Sequence, residues 1–364
     1  MSRADWSAEP VTVRVPATSA NLGPGFDSLG LALSLHDVVQ AQVTGGGLEI
    51  EVTGIGEQTA RYGERHLVVR AMRAAFGVVG EQPPGLRLRC ANAIPHGFGF
   101  GSSAAAIVAG IIAARALAGP TGLGLLPDHA VLTLAAALEG HADNVAACQA
   151  GGLTIAWAGD GADRAGGASP ASAAGGSGAA GAAGGSGAAG AAGSAVRCVR
   201  LDPLPGLRPV LCVPAVPLAT EAARQVLPAV VPHADAARNA ARAALLVAAL
   251  TREGLARDPE LLLAATRDFL HQPYRASSMP HTASLIGALR DAGIPAVVSG
   301  AGPAALALVV PGVTPGPEVV VGIVAAAAGQ VGADWSVRVL EVDRRGAAVI
   351  DADRGTGPTV ARFG

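Results

Sequence analysis

Residues 95 to 106 read Pro95-His96-Gly97-Phe98-Gly99-Phe100-Gly101-Ser102-Ser103-Ala104-Ala105-Ala106, three alternating glycines and two serines set against an apolar stretch that continues to Leu117. Few local structures accept such a run. Glycines permit the left-handed turns that aim successive backbone N–H groups at one point, and the helix expected over Ala104 to Leu117 adds the positive end of its dipole there. A strand-like run, Leu86 to Cys90, precedes it. The expected unit is therefore strand, glycine loop, helix, with an anion cradle at the helix start. It does not fit the Walker pattern, which needs a lysine before the Ser/Thr, and it lacks the last glycine of the dinucleotide fingerprint. Taken alone, the loop says phosphate and no more.

A second feature narrows the chemistry. All 26 Lys+Arg residues are arginine, and lysine is absent from the chain. This excludes Walker-type NTPases, protein kinases, PLP enzymes and Schiff-base aldolases, each of which needs a lysine amine or ammonium. Cationic recognition falls to arginine, whose planar fork suits carboxylate and phosphate. With 364 residues, 50% hydrophobic and 15% charged, the chain can bury a large core, and its length suggests about two domains. A net charge of −2 and 3% aromatic residues speak against a nucleic-acid surface. Mean hydropathy is +0.41, but the longest apolar runs are short of a membrane span. Cys90, Cys148, Cys198 and Cys212 show no metal-site spacing and read as free thiols. The first residues, Met1 to Pro10, carry Asp5 and Glu9 and no apolar core, so a cytoplasmic protein is expected.

Along the chain the pattern is mixed. Strands are expected at Val11 to Val15, Leu48 to Val52, Leu86 to Cys90, Gly152 to Trp157, Val210 to Val213, Ala296 to Ser299 and Ala305 to Val310. Helices are expected at Leu67 to Phe76, Ala104 to Leu117, Ala130 to Leu138, Thr220 to Leu227, Ala236 to Thr251, Glu260 to Leu270 and Ser284 to Asp291. The class is α+β. From Ala171 to Ala195 only Ala, Gly and Ser occur, with Ala-Ala-Gly-Gly-Ser-Gly-Ala-Ala-Gly at Ala173 and again at Ala182. Such a tract is expected to act as a tether spanning roughly 25–30 Å. It interrupts what reads as a hairpin, Leu153 to Trp157 before it and Val196 to Leu201 after it.

Further polar constellations lie apart from the glycine loop. Glu139 stands in Glu139-Gly140-His141-Ala142-Asp143-Asn144-Val145, where a lone glutamate would ordinarily be a solvated helix end. Asn21 and Asp27 bracket Ser19-Ala20-Asn21-Leu22-Gly23-Pro24-Gly25-Phe26-Asp27, either as a polar reach toward a ligand or as an Asx pair shaping the loop. Arg224 follows Thr220-Glu221-Ala222-Ala223, and Arg275 ends His271-Gln272-Pro273-Tyr274. By themselves they are two arginines among 26. Ser299-Gly300-Ala301-Gly302-Pro303-Ala304 is one more glycine turn.

Together these motifs resemble the GHMP family of small-molecule kinases, and within it the branch that acts on L-homoserine. The family's phosphate loop has the form P-x-x-x-G-L-G-S-S-A, matched by Pro95 to Ala104 with Phe100 in the leucine position. The resemblance implies that Pro95 to Ala105 wrap the phosphates of ATP, and that Ser103 and Glu139 hold Mg²⁺, an ion satisfied by few protein oxygens. It implies that Asn21, Asp27, His141, Asp143, Thr220, Arg224 and Arg275 bind the substrate, the two arginines on its carboxylate. Ser103, Glu139 and Asp27 then form the catalytic set, with Asp27 an open choice of base. Ser299 to Ala304 is a worn copy of the family's third motif, and His66 stands where relatives carry Asn against the purine. The implied fold is an N-terminal domain like domain 2 of ribosomal protein S5 (1–165), a flexible insert (166–195) and a ferredoxin-like C-terminal domain (196–364). The implied reaction is ATP-dependent phosphorylation of L-homoserine on the route to threonine, with no nucleic-acid or membrane partner, and it is compatible with a homodimer. Two alternatives stand beside it: a kinase of another small alcohol, and a non-catalytic ligand-binding relative.

Overall fold

Strand β1 (Val11–Ala20) is buried along nearly its whole length, which a central strand of Val, Ala and Thr allows. The computed structural model describes residues 6–159, 195–218, 220–331 and 334–350. Most of the Ala/Gly/Ser insert lies outside them. The chain continues with β2 (Leu29–Thr44), β3 (Gly47–Gly54), α1 (Leu67–Val79), β4 (Gly85–Asn92), α2 (Ser102–Leu117), α3 (Gly119–Leu125), α4 (Asp128–Glu139), α5 (Asp143–Ala150) and β5 (Leu153–Ala158). Beyond the insert come β6 (Val196–Leu201), β7 (Arg208–Pro214), α6 (Thr220–Gln225), α7 (His233–Thr251), α8 (Glu253–Ala256), α9 (Pro259–Ala265), α10 (Gln272–Arg275) and α11 (Pro280–Asp291). It closes with β8 (Ala296–Val298), β9 (Ala305–Val309), α12 (Pro317–Val331), β10 (Trp335–Val339) and β11 (Ala348–Ile350).

Two sheets result. The first has seven strands in the order β11-β1-β2-β4-β3, with β5 pairing β2 and β6 pairing β5. The second has four antiparallel strands in the order β10-β7-β9-β8. Taken with α12 and the helices between β7 and β8, this is the βαββαβ arrangement expected for a ferredoxin-like unit. The sheets do not divide at residue 196. β6 pairs in register with β5, Leu153 opposite Leu201, and β11 returns to β1, Thr12 opposite Ile350. The segment after the insert therefore adds β6 to the first sheet, builds the second, and returns through β11 to close the first.

The larger core lies between the first sheet and α1, α2 and α4, with Val13, Leu31, Leu88, Met72, Phe76, Ile107 and Ile111 fully enclosed. Alanine and glycine on α2 let α1 approach closely: a Cβ at Gly110 would press on the Val68 carbonyl oxygen. A second core gathers Val210, Leu285, Leu289, Ile294, Val309 and Val320 between the second sheet and α11 and α12. Helix α9 stops at Ala265, short of the expected Leu270, because the Asp268 carboxylate captures the N–H groups of Leu270, His271 and Gln272 in a turn. No single helix among the described residues is long and apolar enough to cross a membrane.

Candidate active site

The glycine loop runs between β4 and α2. Gly97, Gly99 and Gly101 have φ of 80°, 81° and 65°, which an L side chain rarely adopts. At Gly99 a Cβ would collide with the Ser299 carbonyl, and at Gly101 with the Thr18 hydroxyl. The first bond of α2 runs from Ala105 N–H to Gly101 O, so the amides of Ser102, Ser103 and Ala104 have no acceptor inside the helix. They and the dipole make a cationic end. Phe100, 1% exposed, anchors the loop in the core, and its carbonyl accepts from Thr18 N–H at 2.9 Å.

Ser103 Oγ donates to Glu139 Oε2 at 2.6 Å, joining the first turn of α2 to the last residue of α4. Burial raises the Glu139 carboxyl above the usual carboxylate range, against the lowering pull of Ser103 and His141. His141 lies beside it: Nδ1 is 2.7 Å from Asp143 Oδ1, and Nε2 is 3.9 Å from Glu139 Oε1. Burial depresses the imidazole, but the Asp143 hydrogen bond and the charges of Asp143 and Glu139 outweigh it and hold His141 above its ordinary value. Asp143 Oδ1 also accepts from Asn144 N–H at 2.7 Å, and Asn144 Oδ1 accepts from the Thr18 hydroxyl at 2.7 Å.

The N-terminal loop meets these residues from the other side. Asn21, Leu22 and Asp27 have φ of 67°, 49° and 53°. Asn21 spends both ends of its amide on holding that shape, donating to Gly300 O at 2.8 Å and accepting from Asp27 N–H at 2.9 Å. Arg224 grips Asp27 with two nitrogens, at 2.7 and 3.3 Å. Arg275 is 1% exposed; it donates to Ala223 O at 2.9 Å and to His271 Nδ1 at 3.0 Å. His271 in turn donates from Nε2 to Gly23 O at 2.8 Å, which makes it neutral, as burial also favours. Both guanidinium carbons lie over the Phe26 ring, 5.9 Å for Arg224 and 5.6 Å for Arg275, and His271 stacks on that ring at 5.2 Å. Thr220 opens α6, four residues before Arg224.

Asp37 and Asn239, not singled out in the sequence, complete the frame with Ser299 and His66. Asp37 Oδ1 accepts from Ala93 N–H at 2.7 Å and Ile94 N–H at 2.9 Å, fixing the entry to the glycine loop, and burial pushes its carboxyl up to about 6. Asn239 donates to Pro24 O and accepts from Phe269 N–H. Ser299 Oγ donates to Gly99 O at 2.7 Å and lies 2.9 Å from Ser19 Oγ, so the worn third motif still clamps the glycine loop. A cavity of about 340 Å³ opens beside Ser102, Ser103 and His96 and reaches His66, Tyr62 and Asp37. His66 is buried there with Nδ1 unpartnered, and burial, with His96 nearby, lowers its pKa.

A phosphate cradle over one sheet, facing a ferredoxin-like unit, defines a small-molecule kinase of the GHMP class. Family models agree: "GHMP kinases N terminal domain" matches residues 65–152 and "GHMP kinases C terminal" matches 246–315. The homoserine kinase of Streptomyces coelicolor is 46% identical over 95% of this chain and 96% of its own length, and that of Streptomyces avermitilis is 48% identical over 95% and 97%. The crystal structure of homoserine kinase from Cytophaga hutchinsonii superposes with a TM-score of 0.71 at 24% identity, covering 96% of this chain and all of the other, and shares the fold. The chain belongs to the homoserine kinase branch of the GHMP kinase family.

Proposed function

We propose that this protein transfers the γ-phosphoryl group of ATP to the side-chain hydroxyl of L-homoserine, giving O-phospho-L-homoserine and ADP, a step of threonine biosynthesis. The observation that carries the reading is the meeting, around Phe26, of two arginines and Asp27 within reach of an anion cradle. A zwitterionic amino acid presents a carboxylate and an ammonium, and the Arg224–Asp27 pair offers the complementary charges. Substrate would replace each partner for the other, carboxylate to Arg224 and Arg275, ammonium to Asp27. The curated relatives of this chain carry the same activity in their names.

ATP supplies the phosphoryl group. The amides of Ser102 to Ala104 and the loop glycines receive its phosphates, and the cavity lined by His66 and Tyr62 receives the base. The Ser103 hydroxyl and the buried Glu139 carboxylate are hard oxygens 2.6 Å apart, and a carboxyl held up by burial is one that a cation would stabilise in its charged form. The pair suits Mg²⁺, which would draw charge from the phosphate oxygens. In the transfer, the substrate oxygen forms a bond to the γ-phosphorus as the bond to the ADP oxygen breaks, and the hydroxyl proton passes to an oxygen of the transferred phosphoryl group. The transition state is loose and anionic, so positioning and fixed dipoles carry most of the catalysis. His141, oriented by Asp143 and held above its ordinary value by the carboxylates beside it, offers its ring to the hydroxyl end. We place both ligands at the junction of two lobes, one built on the first sheet, to which β6 and β11 belong, and one built on the second.

The reading is tested by ADP release with Mg-ATP and L-homoserine, L-serine, L-threonine or mevalonate, beside Glu139→Ala. Release with L-homoserine that the variant abolishes supports it. Release with mevalonate alone would assign another alcohol, and no release with any acceptor would leave a binding protein.

A further inference from the structure

A second cavity, of about 290 Å³, lies against α10, the short helix that ends in Arg275. Its volume falls at the lower end for small-molecule sites, too small for a nucleotide and ample for a metabolite of a few carbons. The walls are hydrocarbon: Phe269, Pro273, Met279, Ala283, Ile286 and Val298. Two guanidiniums stand among them. Arg290 of α11 bonds only to neutral oxygens, Thr266 Oγ1 at 2.8 Å, Ala296 O at 3.3 Å and Leu263 O. Arg267 is exposed and has no ion pair or side-chain hydrogen bond among the described residues. The single carboxylate in the lining, Asp268, is spent on three backbone N–H groups at 2.6 to 3.0 Å. Two cations thus share one apolar cavity with no anion free to answer them. A carboxylate entering the cavity would meet both guanidiniums.

We propose that this cavity is an effector site for a small carboxylate with a short, branched hydrocarbon body. The guanidiniums take the carboxylate, and the hydrocarbon walls favour that class over inorganic phosphate, which brings no apolar surface. The cavity is tied to the active site by two routes. Gln272, in its lining, starts the helix that carries Arg275. Gln272 Oε1 also accepts Val298 N–H at 2.6 Å, and Val298 leads into Ser299, which holds the glycine loop through Gly99 O. A ligand touching Gln272 and Val298 therefore bears on Arg275 and on the phosphate cradle together, and its occupancy changes the KM for the amino-acid substrate.

Isothermal titration of the full chain with isocaproate and L-leucine reads the site directly, with inorganic phosphate and isohexanol as single-feature controls. This arm does not depend on the kinase assignment. The expected result is saturable binding of a carboxylate that L-homoserine does not displace, at least tenfold weaker in Arg267→Ala and in Ala283→Phe, with both controls weaker still. In steady-state assays the bound carboxylate shifts the KM for L-homoserine about fivefold or more, and Arg267→Ala removes that shift with its own kcat unchanged. Absence of binding by both carboxylates, displacement by L-homoserine, equal binding by phosphate, or binding unchanged in Arg267→Ala would each overturn the proposal.

Discussion

Arg224 and Asp27 face each other as a fork on a carboxylate, 2.7 and 3.3 Å, although each is about 38% exposed. An exposed pair of this kind contributes little to stability, about 0–1 kcal/mol. In the proposed reading, the pair holds complementary charges in register for a zwitterionic substrate. Arg224→Met is therefore expected to raise the KM for L-homoserine by about tenfold to a hundredfold, the loss of one charge-assisted contact, with Tm nearly unchanged. Asp27→Asn is expected to act on the same parameter. The double variant should cost less than the sum of the two, because each single change strands the other's charge. Steady-state kinetics with thermal melts check all three.

Glu139 and Ser103 are expected to act on kcat. Glu139→Gln keeps the size and a hydrogen bond from Ser103 but removes the anion, and a loss of about 100-fold to 1,000-fold in kcat is expected. Ser103→Ala should lose less. Titration of Mg²⁺ against the nucleotide-bound variants, followed calorimetrically, should show weaker metal binding in both; unchanged metal affinity would contradict the ligand assignment.

The buried pair of Arg275 and His271, set against the Phe26 ring, should behave oppositely to Arg224. Arg275→Met leaves the His271 ring nitrogen and the Ala223 carbonyl without a donor in a dry environment, and breaking such a buried network costs about 2–5 kcal/mol. Denaturant unfolding should register that loss together with the loss of activity. A variant as stable as the parent would show that the network is not what places Arg275.

Asp37 sets a pH dependence. Its carboxyl is at about 6 when folded and 3.8 in the reference state. Between those values the folded protein holds the proton and the unfolded chain does not, so this group's stabilising contribution is present below pH 4, falls as pH rises, and is gone above about 6. The amplitude is on the order of 3 kcal/mol. Asp37→Asn keeps the Oδ1 acceptor for Ala93 and Ile94, so stability-versus-pH curves should lose that falling limb while the cradle stays in place.

Gly99 admits no side chain. Gly99→Ala combines a forbidden φ with a collision against Ser299, and is expected to abolish ATP binding by unseating the loop, while far-UV circular dichroism stays close to that of the parent.

The cradle was legible because glycines at alternate positions followed by two serines have few other uses. The separated partners were legible only through likeness to a family, since nothing in the spacing of Ser103 and Glu139 announces that α2 and α4 bring them to 2.6 Å. Asp37 and Asn239 escaped because each spends its side chain on backbone groups far along the chain, and Asn144 because its side chain meets the Thr18 hydroxyl 126 residues away, uses that leave no pattern. Strand β2 escaped for a different reason. Its apolar residues at Leu29, Leu31 and Leu33 are parted from those at Val39, Ala41 and Val43 by the polar Ser34, His36 and Asp37, where the register with β1 shifts between Pro16 and Ala17. The overlong helix at Glu260 failed to weigh Asp268 as a stop.

Strand β1 begins the first sheet and β11 flanks it, Thr12 meeting Ile350. During synthesis β1 can pair with β2 almost at once, yet its other edge stays bare until the ribosome has made the whole second sheet. For that interval the nascent chain carries an open strand next to a nearly finished core, the condition under which chains pair with one another instead of with themselves. The Asp343 carboxylate, which grips His36 and caps the turn that delivers β11, is thus a late latch, and slow or interrupted translation of this region should cost soluble yield more than the three residue pairs of β11 suggest.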